Sequence, residues 1–222
     1  MTCLLCATPV HQKESFTSLL FQFQKKNYIC EDCWSRFERI DNLHCSSCYK
    51  SGVEGICQDC LCWQKQGHEI HHQALFTYNE MMKQYFSSYK FQGDYLLRKI
   101  FSNEIKRALA DYKSYTIVPI PLSEESLKKR KFNQVTGFLE DASISYQRLL
   151  EVQGKSKPTQ SNKTRKERMQ TKQFFQVANK EILPERILLV DDIYTTGATL
   201  LLARQVLYEK GVKTIKTFSL AR

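Results

Sequence analysis

Two adjacent carboxylates and a cluster of hydroxyls follow one apolar segment of the chain. Asp191 and Asp192 come directly after residues 187–190, and a loop with three threonines and one glycine comes soon after. The loop residues are Thr195, Thr196, Gly197, Ala198 and Thr199. Carboxylates accept hydrogen bonds from sugar hydroxyls or hold a hydrated Mg²⁺, whereas threonine hydroxyls and the backbone N–H groups of a helix start bind phosphate. These residue types therefore predict a site for a ribose 5-phosphate.

The elements on either side of this loop are expected to hold it at the edge of a sheet. Residues 187–190 are all large and apolar, which indicates a strand buried on both faces, as in a parallel sheet. The segment after Thr199 has the apolar spacing of a helix. Ligands of open α/β sheets bind beyond the carboxyl ends of the strands, and Gly197 lets the backbone approach an anion without a Cβ in the way. An ordinary strand-to-helix turn is the alternative.

The strand, the acidic pair and the T-T-G-x-T loop together resemble the phosphoribosyl-pyrophosphate (PRPP) motif of type I phosphoribosyltransferases. The resemblance implies an α/β domain with a parallel sheet, in which Asp191 and Asp192 are the catalytic pair that faces the ribose hydroxyls. It also implies that residues 195–199 wrap the 5-phosphate and that Mg²⁺ binds together with PRPP.

Eight of the nine cysteines form four C-x-x-C pairs near the start of the chain. The pairs are Cys3 with Cys6, Cys30 with Cys33, Cys45 with Cys48, and Cys57 with Cys60. Each pair offers two thiolates to one ion, and a structural zinc site takes two pairs. Taken in order, the pairs predict a double zinc ribbon with two Zn²⁺ ions over residues 1–66. Interleaved pairing, a single zinc site, and an iron–sulfur cluster or redox dithiols are the alternatives, and Cys62 is expected to be a free buried thiol.

Length and composition indicate a globular chain with one large core and a small accessory domain. The formal net charge is +10, which favours polyanionic partners. The sequence contains no run of about 18 apolar residues, and its first residues lack the pattern of a signal peptide. We therefore expect a cytoplasmic protein without a transmembrane segment, whose paired cysteines bind metal instead of forming disulfides.

The middle of the chain supplies further strands and helices. Strands are predicted at 74–78, at 115–120, from Phe174 onwards and at 214–220. Helices are predicted after the caps Asn79 and Asp94, over 133–150, and on Phe37, Ile40 and Leu43 between the ribbons. Residues 121–134 are expected to form the loop that follows the strand at 115–120.

Two segments concentrate positive charge. Residues 128–131 are four consecutive cations, and residues 155–172 hold seven Lys or Arg residues against one acid. Such runs are often solvated surfaces, but a long basic loop also suits the phosphate backbone of a nucleic acid. The nucleic-acid candidates are Lys128, Lys129, Lys131, Lys163, Arg165, Lys166 and Arg168.

The order of these motifs along nearly the whole chain resembles the ComF late-competence family. The shared elements are the four cysteine pairs, Y-N-E at 78–80, K-F-x-G-D at 90–94, P-x-P-L-S at 119–123, R-x-F-N-Q at 130–134, K-P-T-Q at 157–160 and the acidic motif. Lys131 departs from the family pattern, which has glycine there. A tight backbone turn at this position is therefore in question.

The two resemblances assign further site residues. They imply a pyrophosphate loop from Pro119 to Ser123, with Arg130, Asn133 and Gln134 at the rim of the site. They also imply a basic flexible loop over 153–173 within a phosphoribosyltransferase-like domain at 73–222.

The ComF resemblance implies a protein of natural transformation that handles incoming single-stranded DNA together with a competence-associated DNA helicase or translocase. A position at the inner face of the membrane, beside the uptake machinery, would fit this role. An active Mg²⁺-dependent phosphoribosyltransferase with an unknown acceptor is one alternative. A module that binds a nucleotide or a DNA end without turnover is the other.

Overall fold

The computed structural model describes residues 1–10, 28–153, 173–178 and 182–222. Its strands are β1 His72–Phe76, β2 Thr116–Pro119, β3 Leu150–Val152, β4 Phe175–Val177, β5 Arg186–Ile193 and β6 Thr214–Ala221. Four of them form a parallel sheet in the order β1-β6-β5-β2, and β3 pairs with β4 in antiparallel fashion. This parallel sheet confirms the predicted α/β fold class.

Seven α-helices lie in the described part of the chain. They are α1 Glu31–Ser35, α2 Gln58–Lys65, α3 Glu80–Ser87, α4 Ser102–Leu109, α5 Glu124–Arg130, α6 Gln134–Asp141 and α7 Ala198–Glu209. A π-helical turn at Ser88–Gln92 follows α3 directly, and 3₁₀ turns lie at Tyr95–Ile100 and Ala110–Tyr112. The helices over Glu80–Ser87 and Ala198–Glu209 agree with the predicted ones, and Asn79 caps the first of them by accepting from Met82 N at 3.0 Å.

The central strand β5 has a different core on each of its two faces. Leu188 and Val190 pack in the cluster that contains α3, α4 and α6, whereas Ile187 and Leu189 pack in the cluster that contains α7. Successive side chains of a strand point to opposite faces, so an unbroken apolar run is needed to fill both cores. Each of these four side chains is fully buried and contributes on the order of 2 kcal/mol.

The predicted helix over 133–150 is wrong beyond Asp141. Ser143 has a positive φ of 55°, and the Ile144 N–H donates to the Leu139 carbonyl at 2.8 Å. This left-handed residue with its six-to-one hydrogen bond is a Schellman ending, which stops the helix and turns the chain towards β3.

Two smaller predictions also differ from the structure. Residues 36–43 form no helix. The helix of this region is α1, whose N-cap is Cys30; the Cys30 sulfur accepts from Cys33 N at 3.4 Å. Residues 121–134 hold α5 where a loop was expected. This helix starts because the Ser123 hydroxyl accepts from Ser126 N at 3.2 Å.

The cysteine region packs directly on the rest of the chain. Cys3, Cys33 and Phe37 belong to the same core cluster as Phe76 of β1. The cluster on the opposite face contains Cys45, Cys48, Cys57 and Cys60. The division into domains at 1–66 and 73–222 therefore stays a prediction. In the described residues, no helix has the length and apolarity needed to cross a membrane.

Candidate functional site

A cavity of about 520 Å³ opens where β2 and β5 end. Asp191 and Asp192 come from β5, Thr195 and Gly197 come from the loop that follows, and Thr199 comes from the first turn of α7. The remaining lining side chains are Tyr78, Lys83, Phe86, Ser87, Lys90, Phe91, Ile120, Pro121, Leu122, Ser126, Arg130, Gln134, Ile193, Tyr194 and Leu200. The carboxyl edge of a parallel sheet is where ligands of this fold class bind, and the volume suits a small ligand.

The two aspartates have different surroundings. Asp192 is 5 % exposed, pairs with Lys90 Nζ at 2.6 Å, and accepts a hydrogen bond from Gln134 Nε2 at 2.6 Å. Burial alone would raise the pKa of Asp192, but the Lys90 ammonium and the Gln134 amide hold it below its ordinary value. Asp191 is only partly buried, and its Oδ1 accepts from Asp192 N at 2.9 Å. Asp192 is thus an ionised carboxylate whose charge is balanced by the Lys90 ammonium.

Lys90 reaches Asp192 because of the π-helical turn that carries it. The turn Ser88–Gln92 places the Lys90 ammonium 4.5 Å from the centre of the Phe86 ring, on the cavity wall. Arg130 Nη1 donates to Gln134 Oε1 at 3.0 Å, so a second cation joins the same network. The sequence analysis did not name Lys90 as a site residue. The feature that could have indicated it is its place in the K-F-x-G-D segment, at a break between two predicted helices.

Glycine is required at position 197. Gly197 is the N-cap of α7 with a φ of +83°, and a Cβ there would collide with the Tyr194 hydroxyl. Gly197 itself has no side chain with which to cap the helix start. Thr196 and Ala198 are buried and do not line the cavity; Thr196 Oγ1 accepts from Ala198 N at 3.4 Å.

Tyr194 is a second residue that sequence reasoning missed. It lines the cavity, its ring is 3 % exposed, and its hydroxyl has no hydrogen-bond partner in the described part of the chain. Burial raises the pKa of Tyr194 well above its usual value, so the group is a neutral hydroxyl. It can donate a hydrogen bond to a ligand beside Gly197.

Ser123 and Asn133 cap helices and do not line the cavity. Ser123 is buried at the start of α5. Asn133 Oδ1 accepts from Val135 N at 2.8 Å, and its Nδ2 donates to the Ile120 carbonyl at 3.0 Å. Of Ser123 and the three residues that the resemblances assign to the rim, only Arg130 and Gln134 line the cavity.

Lys131 adopts the backbone conformation for which glycine is best suited. Its φ is +66°, and its N–H donates to the Leu127 carbonyl at 2.7 Å, which ends α5. A non-glycine residue in this region costs about 1 kcal/mol. The departure from the family glycine is therefore accommodated without loss of the turn.

The basic candidates fall into two groups. Lys128, Lys129 and Lys131 are exposed at the end of α5. Lys163, Arg165, Lys166 and Arg168 belong to the predicted loop at 153–173, of which residues 154–172 lie outside the described residues.

The paired cysteines form two clusters, each from two consecutive pairs. The first cluster is Cys3, Cys6, Cys30 and Cys33, and the second cluster is Cys45, Cys48, Cys57 and Cys60. Sulfur-to-sulfur distances are 3.6 Å for Cys6 to Cys30 and 3.5 Å for Cys48 to Cys57. A tetrahedral zinc with Zn–S bonds of about 2.3 Å requires sulfurs about 3.8 Å apart, so both clusters fit structural zinc. This confirms the double zinc ribbon and its sequential pairing, and Cys62 stays a free, partly buried thiol.

The second cluster is connected to the threonine loop by two side chains. Trp63 Nε1 of α2 donates to the Thr196 carbonyl at 2.8 Å. Arg222 Nη1 donates to the Thr195 carbonyl at 2.8 Å, while its Nη2 donates to Cys48 Sγ at 3.3 Å. The backbone of the loop is therefore held from the side of a candidate metal centre.

Comparisons with known proteins identify relatives along the full length of the chain. A scan against models of protein families finds no match. The Competence protein ComFC of Streptococcus pneumoniae is 44 % identical over 222 residues, with both chains covered completely. The Competence protein ComFC of Bacillus subtilis is 31 % identical over 232 residues, covering 100 % of this chain and 95 % of the relative.

A third relative is more distant. The Competence protein F of Haemophilus influenzae is 24 % identical over 238 residues, covering 99 % of this chain and 96 % of the relative. Full-length similarity at 44 % and 31 % identity supports a competence-associated role. The chain belongs to the ComF/ComFC family of competence proteins.

Proposed function

We propose that this protein handles incoming single-stranded DNA in natural transformation and carries a pocket of the PRPP type for a ribose 5-phosphate group. One observation carries the proposal: the cavity at the end of β5 brings together the helix start at Gly197, a threonine loop, and acids and cations. A competence-associated DNA helicase or translocase is the proposed protein partner, at the inner face of the membrane.

The helix start supports binding of the phosphate. The first N–H groups of α7 carry the positive end of the helix dipole, and Thr195 and Thr199 add hydroxyl donors beside them. The Tyr194 hydroxyl would gain an acceptor, which matters because an unsatisfied buried hydroxyl costs about 1–3 kcal/mol.

Asp191 supports binding of the sugar. It lines the cavity beside the loop, and a carboxylate there accepts hydrogen bonds from ribose hydroxyls. Asp192 is already neutralised by Lys90, so we assign it to positioning Lys90 and Gln134. Mg²⁺ would be held by phosphate oxygens, water and Asp191, which is the mixed ligand set that this ion prefers.

Charge supports the polyanionic partner. The chain has a net charge of +10, and Lys128, Lys129 and Lys131 are exposed next to the cavity residue Arg130. The predicted basic loop at 153–173 would add further phosphate contacts. The strands on either side of that segment, β3 and β4, pair with each other, so the segment begins and ends at neighbouring positions.

Two titrations test the proposal. Calorimetry with ribose 5-phosphate and with Mg²⁺-PRPP should give heat with the wild type and not with Asp191→Ala, while the exposed carboxylate variant Asp111→Ala should bind normally. Single-stranded DNA affinity should fall steeply with salt, by about 0.7 log units per decade of salt for each phosphate contacted. Absence of heat with the wild type contradicts the pocket, and a flat salt response contradicts DNA binding.

Phosphoribosyl transfer at the same pocket is the second candidate. Lys90 and Arg130 favour it, because two cations on the wall near the acids can neutralise departing pyrophosphate. In this reaction a nucleophile forms a bond to C1 of PRPP as the bond to pyrophosphate breaks. Pyrophosphate release from Mg²⁺-PRPP in the presence of candidate acceptors, single-stranded DNA included, is the measurement.

A further inference from the structure

A second groove continues from the cavity past Lys90 and Arg130. Its volume is about 610 Å³, and it shares Lys90, Phe91 and Arg130 with the cavity. We refer to it as the Phe91 groove, lined by Lys90, Phe91, Gln92, Gly93, Tyr95, Lys129, Arg130, Lys131 and Phe132. Four of these residues are cationic, and none of the described lining residues is acidic.

Phe91 is the most exposed aromatic side chain among the described residues. Its exposed fraction is 59 %, whereas the preceding Tyr89 is fully buried. Both lie on the π-helical turn Ser88–Gln92, which ends at Gly93 with a φ of +75°. Such turns recur at functional sites because they re-aim side chains out of the helical pattern. Here the turn directs Lys90 to Asp192 and leaves the Phe91 ring in the groove.

The charge of the groove selects the ligand class. An exposed ring alone would suit many partners, but the Arg130 guanidinium lies 5.7 Å from the Phe91 ring centre, with Lys129 and Lys131 on the same wall. Cations that contact phosphates, combined with an aromatic face on which bases stack, are the elements of single-stranded nucleic acid binding. The four cations and the absence of acids among the described lining residues argue against a basic peptide.

We propose that the Phe91 groove binds single-stranded DNA, with one base stacked on Phe91 and the flanking phosphates on Lys129, Arg130 and Lys131. The inference rests on the proposed function, which supplies single-stranded DNA as the ligand. Because groove and cavity share three residues, a strand bound in the groove would pass beside the cavity proposed for the sugar phosphate.

Abasic DNA separates stacking from charge. Fluorescence anisotropy would compare a thymidine oligonucleotide of about 12 residues with an abasic oligonucleotide of equal length. Phe91→Ala should weaken thymidine binding about tenfold and abasic binding by less than about twofold, because only the first ligand has bases to stack. Phe91→Trp should restore the affinity. Tyr208→Ala, an exposed aromatic on α7, is the control and should bind like wild type.

A charge variant gives an independent readout. Lys129→Gln should lower the salt slope by about 0.7 for both oligonucleotides, since it removes one phosphate contact and no stacking. If Phe91→Ala binds both oligonucleotides with wild-type affinity, or loses affinity for both equally, the inference is overturned and the proposed function still stands. Failure of the wild type to bind either oligonucleotide overturns both.

Discussion

The two cysteine clusters have the same set of ligands but different surroundings. In the first cluster Cys6 is exposed and Cys30 is only partly buried. In the second cluster all four cysteines are at most 3 % exposed. Trp34 of α1 and Phe37 beyond its end pack on the core, where the ring centre of Phe37 lies 5.0 Å from that of Phe101. The first cluster therefore strengthens a core, and its candidate metal is far more open to solvent.

The second cluster is tied to the site. Trp63 donates to the Thr196 carbonyl and Arg222 to the Thr195 carbonyl. Arg222 also lies 3.6 Å from the carboxylate of Asp59. A hydrogen bond from Cys60 and the charge of Arg222 lower the pKa of Cys48, which favours a thiolate there. For Cys6 it is the hydroxyl of Thr8 that lowers the pKa, to about 6. A hydroxyl two residues away thus favours a thiolate in the first cluster, whereas an arginine distant in sequence favours one in the second.

Removing one ligand from each cluster tests this contrast with the largest effect. Cys57→Ser should lose one of two zinc ions, lower the free energy of unfolding by about 4 kcal/mol or more, and weaken ribose 5-phosphate binding at least about tenfold. Cys3→Ser should lose the other zinc and keep sugar-phosphate binding. Elemental analysis, denaturant unfolding and calorimetry are the measurements. Equal losses of ligand affinity in the two variants would break the comparison.

Arg222 should carry the next largest effect. Arg222→Met removes a buried cation, 8 % exposed, from beside Cys48 and Asp59, and we expect it to lower the free energy of unfolding by about 3 kcal/mol. Its matched control is Arg39→Met; the Arg39 guanidinium lies 4.9 Å from the centre of the Phe76 ring, in the core that contains Cys3 and Cys33. Arg39 pairs with Glu104 but is half exposed, so its loss should cost less than about 1 kcal/mol. Urea unfolding measures the loss of stability in both variants. Similar losses for the two would contradict a special role of Arg222 beside the second cluster.

Trp63→Phe isolates one hydrogen bond of the connection. The variant keeps an aromatic ring in the core but leaves the Thr196 carbonyl without its buried donor, which should cost about 2 kcal/mol and weaken ribose 5-phosphate binding several-fold. Trp34→Phe, in the helix of the first cluster, is the matched control and should leave ligand affinity unchanged. Calorimetry decides, since an unaltered affinity in Trp63→Phe would show that the loop does not need this donor.

Local patterns and long-range contacts differ in how far the sequence reveals them. The strand β5, the threonine loop and the four cysteine pairs were predictable because their signals lie within a few neighbouring residues. Trp63 lies 133 positions from Thr196, and Arg222 lies 174 positions from Cys48, so only the folded chain brings them together. The helix over 133–150 was overpredicted because a left-handed serine, not glycine, ends it at Ser143.

The smallest predicted effect is a pH dependence of the free energy of unfolding, which arises from the buried His72 near the second cluster. The backbone N–H of His72 donates to the carbonyl of Ser47, which lies between Cys45 and Cys48 of the second cluster. The centres of the His72 and Tyr194 rings are 4.2 Å apart. Burial, with a smaller effect of the Arg222 charge, lowers the pKa of His72 well below its ordinary 6.5. Folding therefore keeps His72 neutral, whereas the unfolded chain takes up a proton below pH of about 6.5.

Stability from this group is complete above the unfolded pKa and declines as the pH falls below it. Between about pH 6.5 and about pH 5.5 the wild type should lose about 1 kcal/mol that His72→Gln does not lose. Glutamine can still bond to Thr217 and Ser219, the present partners of the ring at 2.9 Å and 3.0 Å. Urea unfolding at several pH values, referenced to about pH 8, isolates the slope. Parallel slopes for the two proteins would mean that His72 is protonated in the folded state, against its burial.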